Sequence, residues 1–302
     1  MTRHQPVLEV GGSHVTGALI DLQSQDPVGK TVRLPLDSSA DAASILATLL
    51  EVGRRLGADR GAHWAVAFPG PFDYASGLGQ FAGVGKFDAL HGVDVRRALA
   101  DGLATDPETF HFLNDADAFG LGVWVESGQT GRLVCLTLGT GIGSAFVADG
   151  VTVRDADTVP PDAEMHFTFW QGKPLEDTVS HRAILRAYAA ASGVTVPGVR
   201  EVVERSRAGD GFAAEALRSA FTALGAAVAP WLDRFQATDL VLGGSMAAAW
   251  DLLEPALTAG LDSAVWSPMP RVSVAPDAER AALIGAAFSA RGAGPSPSTS
   301  SP

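Results

Sequence analysis

A chain of 302 residues with 46% apolar side chains is long enough for one large or two medium globular units, and its net charge of −12 with only three lysines excludes the concentrated basic surface that a nucleic-acid partner requires. Its single cysteine, Cys135, excludes an internal disulfide and any zinc centre built on several thiolates, and reads as a small buried hydrophobe in a strand. No run approaches the roughly 18 uninterrupted apolar residues of a membrane span, and "MTRHQPVLEV" enters a strand pattern without a signal peptide's apolar core, so the expectation is a cytoplasmic protein with no membrane partner.

In chain order, "PVLEVGGSHVTGALIDL" (6–22) reads as strand, Gly-Gly turn, strand, and "KTVRLPL" (30–36) offers a third strand. Asp41 precedes a helical pattern carried by Ile45, Leu46, Leu49, Leu50 and Leu56, with Gly57 suited to a C-terminal cap. "HWAVAFPG" (63–70) and "FHFLN" (110–114) read as short buried strands ending at loop-forming residues, where ligand contacts gather. "RLVCLTLGTGIGSAFVADGVTV" (132–153) repeats the opening pattern of strand, glycine-rich turn and strand, which suggests a duplicated α/β unit. Residues 154–177 are loop-like. Helical segments follow from "DTVSHRAILRAYAAAS" onward, interrupted by "DLVLGGSMAAAW" (239–250), a strand running into two glycines and then a helix. "PDAERAALIGAAFSA" (276–290) reads as a last amphipathic helix capped by Asp277, and 291–302 as a disordered tail.

Three motifs fail by one residue. "VGKT" would need glycine at 24 to end a P-loop and has Ser24; "GTGIGS" has Ser144 where a dinucleotide loop needs glycine; "GGSMA" has Ala247 where a nucleophile elbow needs glycine. What remains is three glycine bends, 11–12, 139–143 and 243–244, each directly after an apolar strand, with Asp115 and Asp117 after a fourth. Glycine weakens strands, so "VCLTLGTGIGSAF" (134–146) is either a hairpin with a glycine turn or a place where backbone N–H groups approach a phosphate. Asp115 is either a base for an attacking hydroxyl or a helix N-cap, Asp117 being the more natural capping or first-turn acid.

The ordered series "EVGGSHVTGALID", "FPGPFD", "FLNDADAFGLG", "LTLGTGIGSAFVADG", "LEDTVSHRAI", "LVLGGSM" and "ALIGAAFSA" resembles the ROK family of sugar kinases over residues 6–290. The resemblance implies an α/β actin-like ATPase (ribonuclease H-like) fold: an N-terminal domain over 1–114, a C-terminal domain over 115–290 whose last helix (277–290) returns toward the first, and a sugar and ATP cleft between them. It implies transfer of a phosphoryl group from ATP to the 6-hydroxyl of a hexose or amino-hexose, with domain closure excluding water. Asp115 is then the general base, and Asn114, Glu164, His166 and Glu176 bind the sugar. Gly11, Gly12 and Ser13 form the first phosphate loop, Gly139, Thr140, Gly141 and Gly143 the second, and Gly243, Gly244 and Ser245 the adenosine-side turn. It further implies Mg²⁺ near Glu9, and a homodimer whose small-molecule partners are sugar and ATP. For His166 a structural role, and for Glu176 a helix-start role, are the other readings.

The chain also departs from the family. The stretch "HFTFWQGKPLE" lacks the cysteines of the structural zinc site, so no zinc is expected, and Phe167, Phe169 and Trp170 are expected to pack the loop instead. Glu9 stands where the family has aspartate. "FAGVGKF" (81–87) lacks the asparagine that meets the sugar's 3-hydroxyl, which would suit a 3-amino sugar such as kanosamine, its ammonium facing Asp88 or Glu176. Two other functions stand beside the kinase: a sugar-binding protein without catalysis, and a sugar-responsive regulator, although this chain reaches its first strand by residue 6 without a helix-turn-helix.

Overall fold

A computed structural model describes residues 4–59, 61–139, 141–262 and 269–292, and the chain divides into two compact units, Met1–Ser127 with Glu279 onward, and Gly128–Ala278. In the first unit β1 (His4–Val10), β2 (His14–Asp21) and β3 (Pro27–Pro35) form an antiparallel meander. Helix α1 (Ala42–Leu56) is capped by the Asp41 carboxylate, which accepts from the Ser44 N–H, and it buries Ile45, Leu49 and Val52. It stops at Gly57, whose φ of 62° is the left-handed conformation that glycine adopts without strain.

Strand β4 (Trp64–Phe68) is buried at every position, as a run of apolar residues covered on both faces must be. The short pair β5 (Phe72–Asp73) and β6 (Leu78–Gly79) leads to α2 (Val95–Leu103), then β7 (Phe110–Asn114) and α3 (Asp115–Glu126). The sheet order is β3-β2-β1-β4-β7, with β1, β4 and β7 parallel. Its core includes Phe68, Phe81 and Phe87 in mutual ring contact, with Phe72 against Phe68 and Phe81.

The second unit repeats the plan. Strands β8 (Arg132–Leu138), β9 (Ile142–Ala148) and β10 (Val151–Thr152) form the meander, and the hairpin β11 (Phe169–Trp170) and β12 (Lys173–Pro174) leads into α4 (Glu176–Val179) and α5 (His181–Ser192). There follow α6 (Val199–Arg207), α7 (Gly211–Phe235), β13 (Asp239–Gly243), α8 (Trp250–Leu261) and β14 (Arg271–Val274), after which α9 (Ala278–Gly292) belongs from Glu279 onward to the first unit. The order β10-β9-β8-β13-β14 matches the first sheet strand for strand, so the duplication suggested by two glycine hairpins is present in the topology.

Helix α7 is long and apolar enough to cross a bilayer, yet it carries Glu215 and Arg218 and buries Ala216, Phe221, Leu224 and Val228 in this unit's core. It packs on α8 at a glycine contact: a Cβ on Gly225 would fall 2.2 Å from the Leu257 carbonyl oxygen, and one on Gly260 2.2 Å from that of Thr222.

The expected domain break after residue 114 is displaced to residue 127. Helix α3 is buried from Ala116 to Val125 and packs on α9, where a Cβ on Gly122 would lie 1.8 Å from the Ala281 carbonyl oxygen. A helix apolar on all sides must be enclosed by its own unit, and here that unit is the first. Helix α9 continues to Gly292, two residues past its expected end, and the remainder of the expected tail lies outside the described residues.

Candidate active site

In the first unit, parallel pairing places Glu9 and Leu113 level with Ala67, so β1 and β7 end on the same edge of the sheet. Asn114 and Asp115 follow immediately, at the strand ends where α/β sheets gather ligand contacts. Asn114, rather than Asp115 or Asp117, caps α3: its Oδ1 accepts from the N–H groups of Ala116 (2.9 Å) and Asp117 (3.2 Å). An amide serves as well as a carboxylate in that position because only an acceptor is needed. The Asn114 Nδ2 donates to the Tyr74 hydroxyl at 3.0 Å, which in turn donates to the Phe68 carbonyl. Asp115 opens the helix, one of its oxygens accepting from the Ala116 N–H at 2.9 Å.

Glu9 faces the same edge. Its side chain is 14% exposed, and its Oε2 is buried with no hydrogen-bond partner. Burial lifts its pKa to about 7; His14 and Arg33 oppose the rise, and the charges of Asp115 and Glu279 add to it. The first glycine bend is closed by the Gly11 N–H on the His14 carbonyl at 2.9 Å, and nothing lies within 4 Å of where a Gly12 Cβ would stand. Ser13 Oγ is 3.2 Å from His14 Nδ1, and His14 Nε2 is 3.0 Å from Glu279 Oε2.

In the second unit, Gly143, Thr137 and Gly243 form one row across β9, β8 and β13, so the second and third glycine bends leave the same end of one sheet. Gly244 has φ +86°, and a Cβ there would strike the Leu138 carbonyl oxygen at 2.5 Å, which holds the two bends together. His181, at the start of α5, donates its backbone N–H to the Gly139 carbonyl at 3.3 Å, and its Nε2 is 3.4 Å from Ser245 Oγ. Burial lowers its pKa below the ordinary imidazole value. The site around Gly139 is open for 4 Å, whereas a Cβ on Gly141 would meet Glu176 Oε1 at 2.3 Å. Gly141 is therefore bare for a side chain of the protein itself. Thr140 lies outside the described residues.

The Glu164 carboxylate sits 3.4 Å from His166 Nδ1 and 3.7 Å from Arg154 Nη1. Their loop hangs on buried Ser144, whose Oγ donates to the Ala163 carbonyl at 2.7 Å and accepts the Met165 N–H at 2.8 Å. The aromatic residues replacing the cysteine loop divide. Trp170 packs against the core and the Phe167 ring lies 4.1 Å from that of His166 within the loop, but Phe169 is 69% exposed and does not pack it as expected. A two-residue strand pair alternates its faces, and only one can turn inward.

Sequence reading missed His14, Ser144, His181 and Glu279. Ser144 showed only as the residue spoiling a dinucleotide motif, and Glu279 stands 270 positions from Glu9, where no local spacing points to it.

Two α/β units with matching five-stranded sheets, each with glycine bends at one sheet end, make the fold that of the actin-like ATPases, in the form found in ROK sugar kinases. Residues 170–293 match the ROK family model. The chain is 30% identical to a polyphosphate glucokinase of Mycobacterium tuberculosis over 162 residues, 51% of this chain and 57% of that protein, and so spans just over half the length of that curated relative. It is 29% identical to a glucokinase of Thermotoga maritima over 234 residues, covering 69% of this chain and 71% of that protein. Among solved structures, it superposes with TM-score 0.76 and 18% identity on a ROK family glucokinase from Streptomyces griseus in complex with glucose and AMPPNP, covering 96% and 99% of the two chains. Family model, curated relatives and solved structures thus agree with the resemblance read from the sequence.

Proposed function

We propose that the protein is a sugar kinase that transfers the terminal phosphoryl group of ATP to the 6-hydroxyl of a hexose or amino-hexose, with Asp115 as general base. The observation that carries the reading is the placement of Asp115: a carboxylate at the first turn of α3, held by the Ala116 N–H, on the strand edge that also carries Glu9, whose Oε2 is buried. In the reaction the Asp115 carboxylate takes the hydroxyl proton, the oxygen bonds to the phosphorus, and the bond from phosphorus to the bridging oxygen breaks so that ADP leaves with its electron pair. Phosphoryl transfer asks the protein mainly for positioning and charge stabilisation, which the open space beside Gly12 and Gly139 suits, although the Gly139 N–H itself already donates to the Gly141 carbonyl at 3.1 Å. Glu164, His166 and Glu176 supply donors and acceptors for sugar hydroxyls, and the second hydrogen of the Asn114 amide serves as a further donor.

A buried carboxylate oxygen with no partner fits a cation, so Glu9 is the residue that would face Mg²⁺, despite its extra methylene. When bound, Mg²⁺ would neutralise charge on the donor phosphates. Within the same reading, the missing asparagine in 81–87 favours an amino sugar such as kanosamine. Asp88 is the weaker partner for its ammonium, because its Oδ1 already accepts from the N–H groups of Val84 and Gly85, both at 3.0 Å. Glu176 is the stronger.

The test is phosphoryl transfer by the purified full chain to glucose, mannose, glucosamine, N-acetylmannosamine and kanosamine, with ATP or inorganic polyphosphate as donor, followed by ³¹P NMR. The expected result is a new sugar 6-phosphate signal with at least one pair. Sugar binding without product in any pair would favour the non-catalytic sugar-binding protein instead.

A further inference from the structure

We propose that Glu9, His14 and Glu279 form a binding site for a divalent transition-metal cation, held by the protein itself with neither nucleotide nor sugar present. One donor atom from each residue lies within 4.8 Å of the others. His14 Nε2 stands 3.0 Å from Glu279 Oε2 and 3.9 Å from Glu9 Oε2. An ion bonded at about 2.1 Å to nitrogen and oxygen donors spaces them about 3–4 Å apart, so little movement would close the three around one cation.

Two further observations point to a ligand rather than to an ordinary ion pair. Glu9 Oε2 is buried and without a hydrogen-bond partner, so the ion pair between His14 and Glu279 leaves one carboxylate oxygen unsatisfied on its inner side. The imidazole is also held from behind: Ser13 Oγ meets Nδ1 at 3.2 Å, the outer contact that orients a metal-binding histidine with its other nitrogen forward. The backbone leaves room for the ring, since even a Cβ on Gly11 would come no closer than 3.4 Å to it.

The charges facing the cluster are those of Asp115, which adds to its negative potential, and Arg33, whose Nη1 is 3.5 Å from Glu279 Oε2. The Arg33 side chain is 58% exposed and can turn to water when a cation enters. Two carboxylates and one imidazole are a mixed oxygen and nitrogen set. Mg²⁺ prefers oxygen and retained water, whereas imidazole shifts preference toward Mn²⁺ and, more strongly, Zn²⁺. With no nucleotide bound, the three-residue set therefore favours the softer ions, whereas Mg²⁺ beside Glu9 would arrive with the donor phosphates. The site stands whether or not the kinase reading holds.

The experiment is a Mn²⁺ titration of chelator-stripped, full-length protein without nucleotide or sugar, followed by electron paramagnetic resonance. Expected are one Mn²⁺ per chain, nitrogen hyperfine coupling from imidazole in the bound spectrum, and displacement by Mg²⁺ only in large excess, about a hundredfold. His14→Ala and Glu279→Gln should each weaken Mn²⁺ binding tenfold or more. Arg33→Ala, which removes a 58% exposed side chain and its charge, should tighten it. Absence of the nitrogen coupling, displacement by equimolar Mg²⁺, or unchanged affinity in Arg33→Ala together with a folded His14→Ala would overturn the assignment.

Discussion

Alanine at Gly139 and at Gly244 separates glycines kept bare for a ligand from glycines kept bare for the fold. Around Gly139, as around Gly12, nothing lies within 4 Å of the new Cβ, and neither residue has a positive φ. Alanine fits such a place without strain and narrows the unfolded ensemble, so Gly139→Ala and Gly12→Ala should leave stability unchanged or raise it by about 0.4–1 kcal/mol. If phosphate oxygens occupy that space, the methyl pushes them off neighbouring N–H donors, the Gly139 N–H itself being held by the Gly141 carbonyl at 3.1 Å, and a lost charge-assisted contact worth about 1.5–3 kcal/mol raises the donor KM roughly ten- to a hundredfold. Gly244 is the opposite case. Its φ is +86°, and a Cβ would stand 2.5 Å from the Leu138 carbonyl oxygen and 2.7 Å from its nitrogen. A left-handed alanine and overpacking against backbone together should cost about 2–4 kcal/mol. Urea unfolding measures the first effect, and donor-saturation kinetics the second. A Gly139→Ala protein destabilised as much as Gly244→Ala, or one of normal stability with an unchanged donor KM, would show that Gly139 is not kept bare for the phosphate donor.

Ser144→Ala should loosen the loop bearing Glu164 and His166 by removing the links to Ala163 and Met165; sugar KM should rise several-fold with donor KM unchanged, and stability should fall by about 1–3 kcal/mol in urea unfolding. Gly141→Ala pushes on the free end of Glu176 rather than on backbone, so it should weaken sugar binding, read by calorimetry, while changing stability by less than about 1 kcal/mol. His111 is held below the ordinary imidazole pKa by burial, with the Arg96 charge adding to the effect, and its Nε2 is 2.9 Å from Ser289 Oγ. Because the folded value lies below the unfolded one, the unfolded chain takes up the proton first as pH falls through about 6.5, and stability is lost there. Comparing His111→Gln with the parent by urea unfolding at pH 7.5 and 5.5 should show a smaller acid loss in the variant; equal losses would contradict the assignment.

Much of the fold is readable along the chain wherever one element carries its own signals. Asp41 and Gly57 bracket α1 as capping chemistry predicts, and "FHFLN" coincides with β7. The repeat of strand, glycine turn and strand points to the duplicated sheets. The domain boundary was not readable in this way, because α3 is apolar on every side and its periodicity does not say which unit encloses it; the contact with α9, some 160 residues later, decides that. Within the candidate site, glycines and strand-end acids stand out as local anomalies, but His14 and Glu279 acquire meaning only when α9 brings its first turn to β1 and β2. Bareness alone was also ambiguous: Gly139 is open, Gly141 faces Glu176, and Gly244 lies on Leu138, though all three look alike in the sequence.

In the proposed reaction Asp115 removes the proton of a sugar hydroxyl as the phosphoryl group arrives. Asparagine at 115 keeps the shape and the acceptor oxygen that meets the Ala116 N–H, but it cannot take that proton. The most direct measurement compares Asp115→Asn with the parent on the best substrate pair, sugar affinity by calorimetry beside single-turnover phosphoryl transfer. Expected are sugar affinity within about threefold of the parent and transfer slowed by roughly 10²–10⁴-fold. Transfer at the parental rate would contradict the role of Asp115 as base.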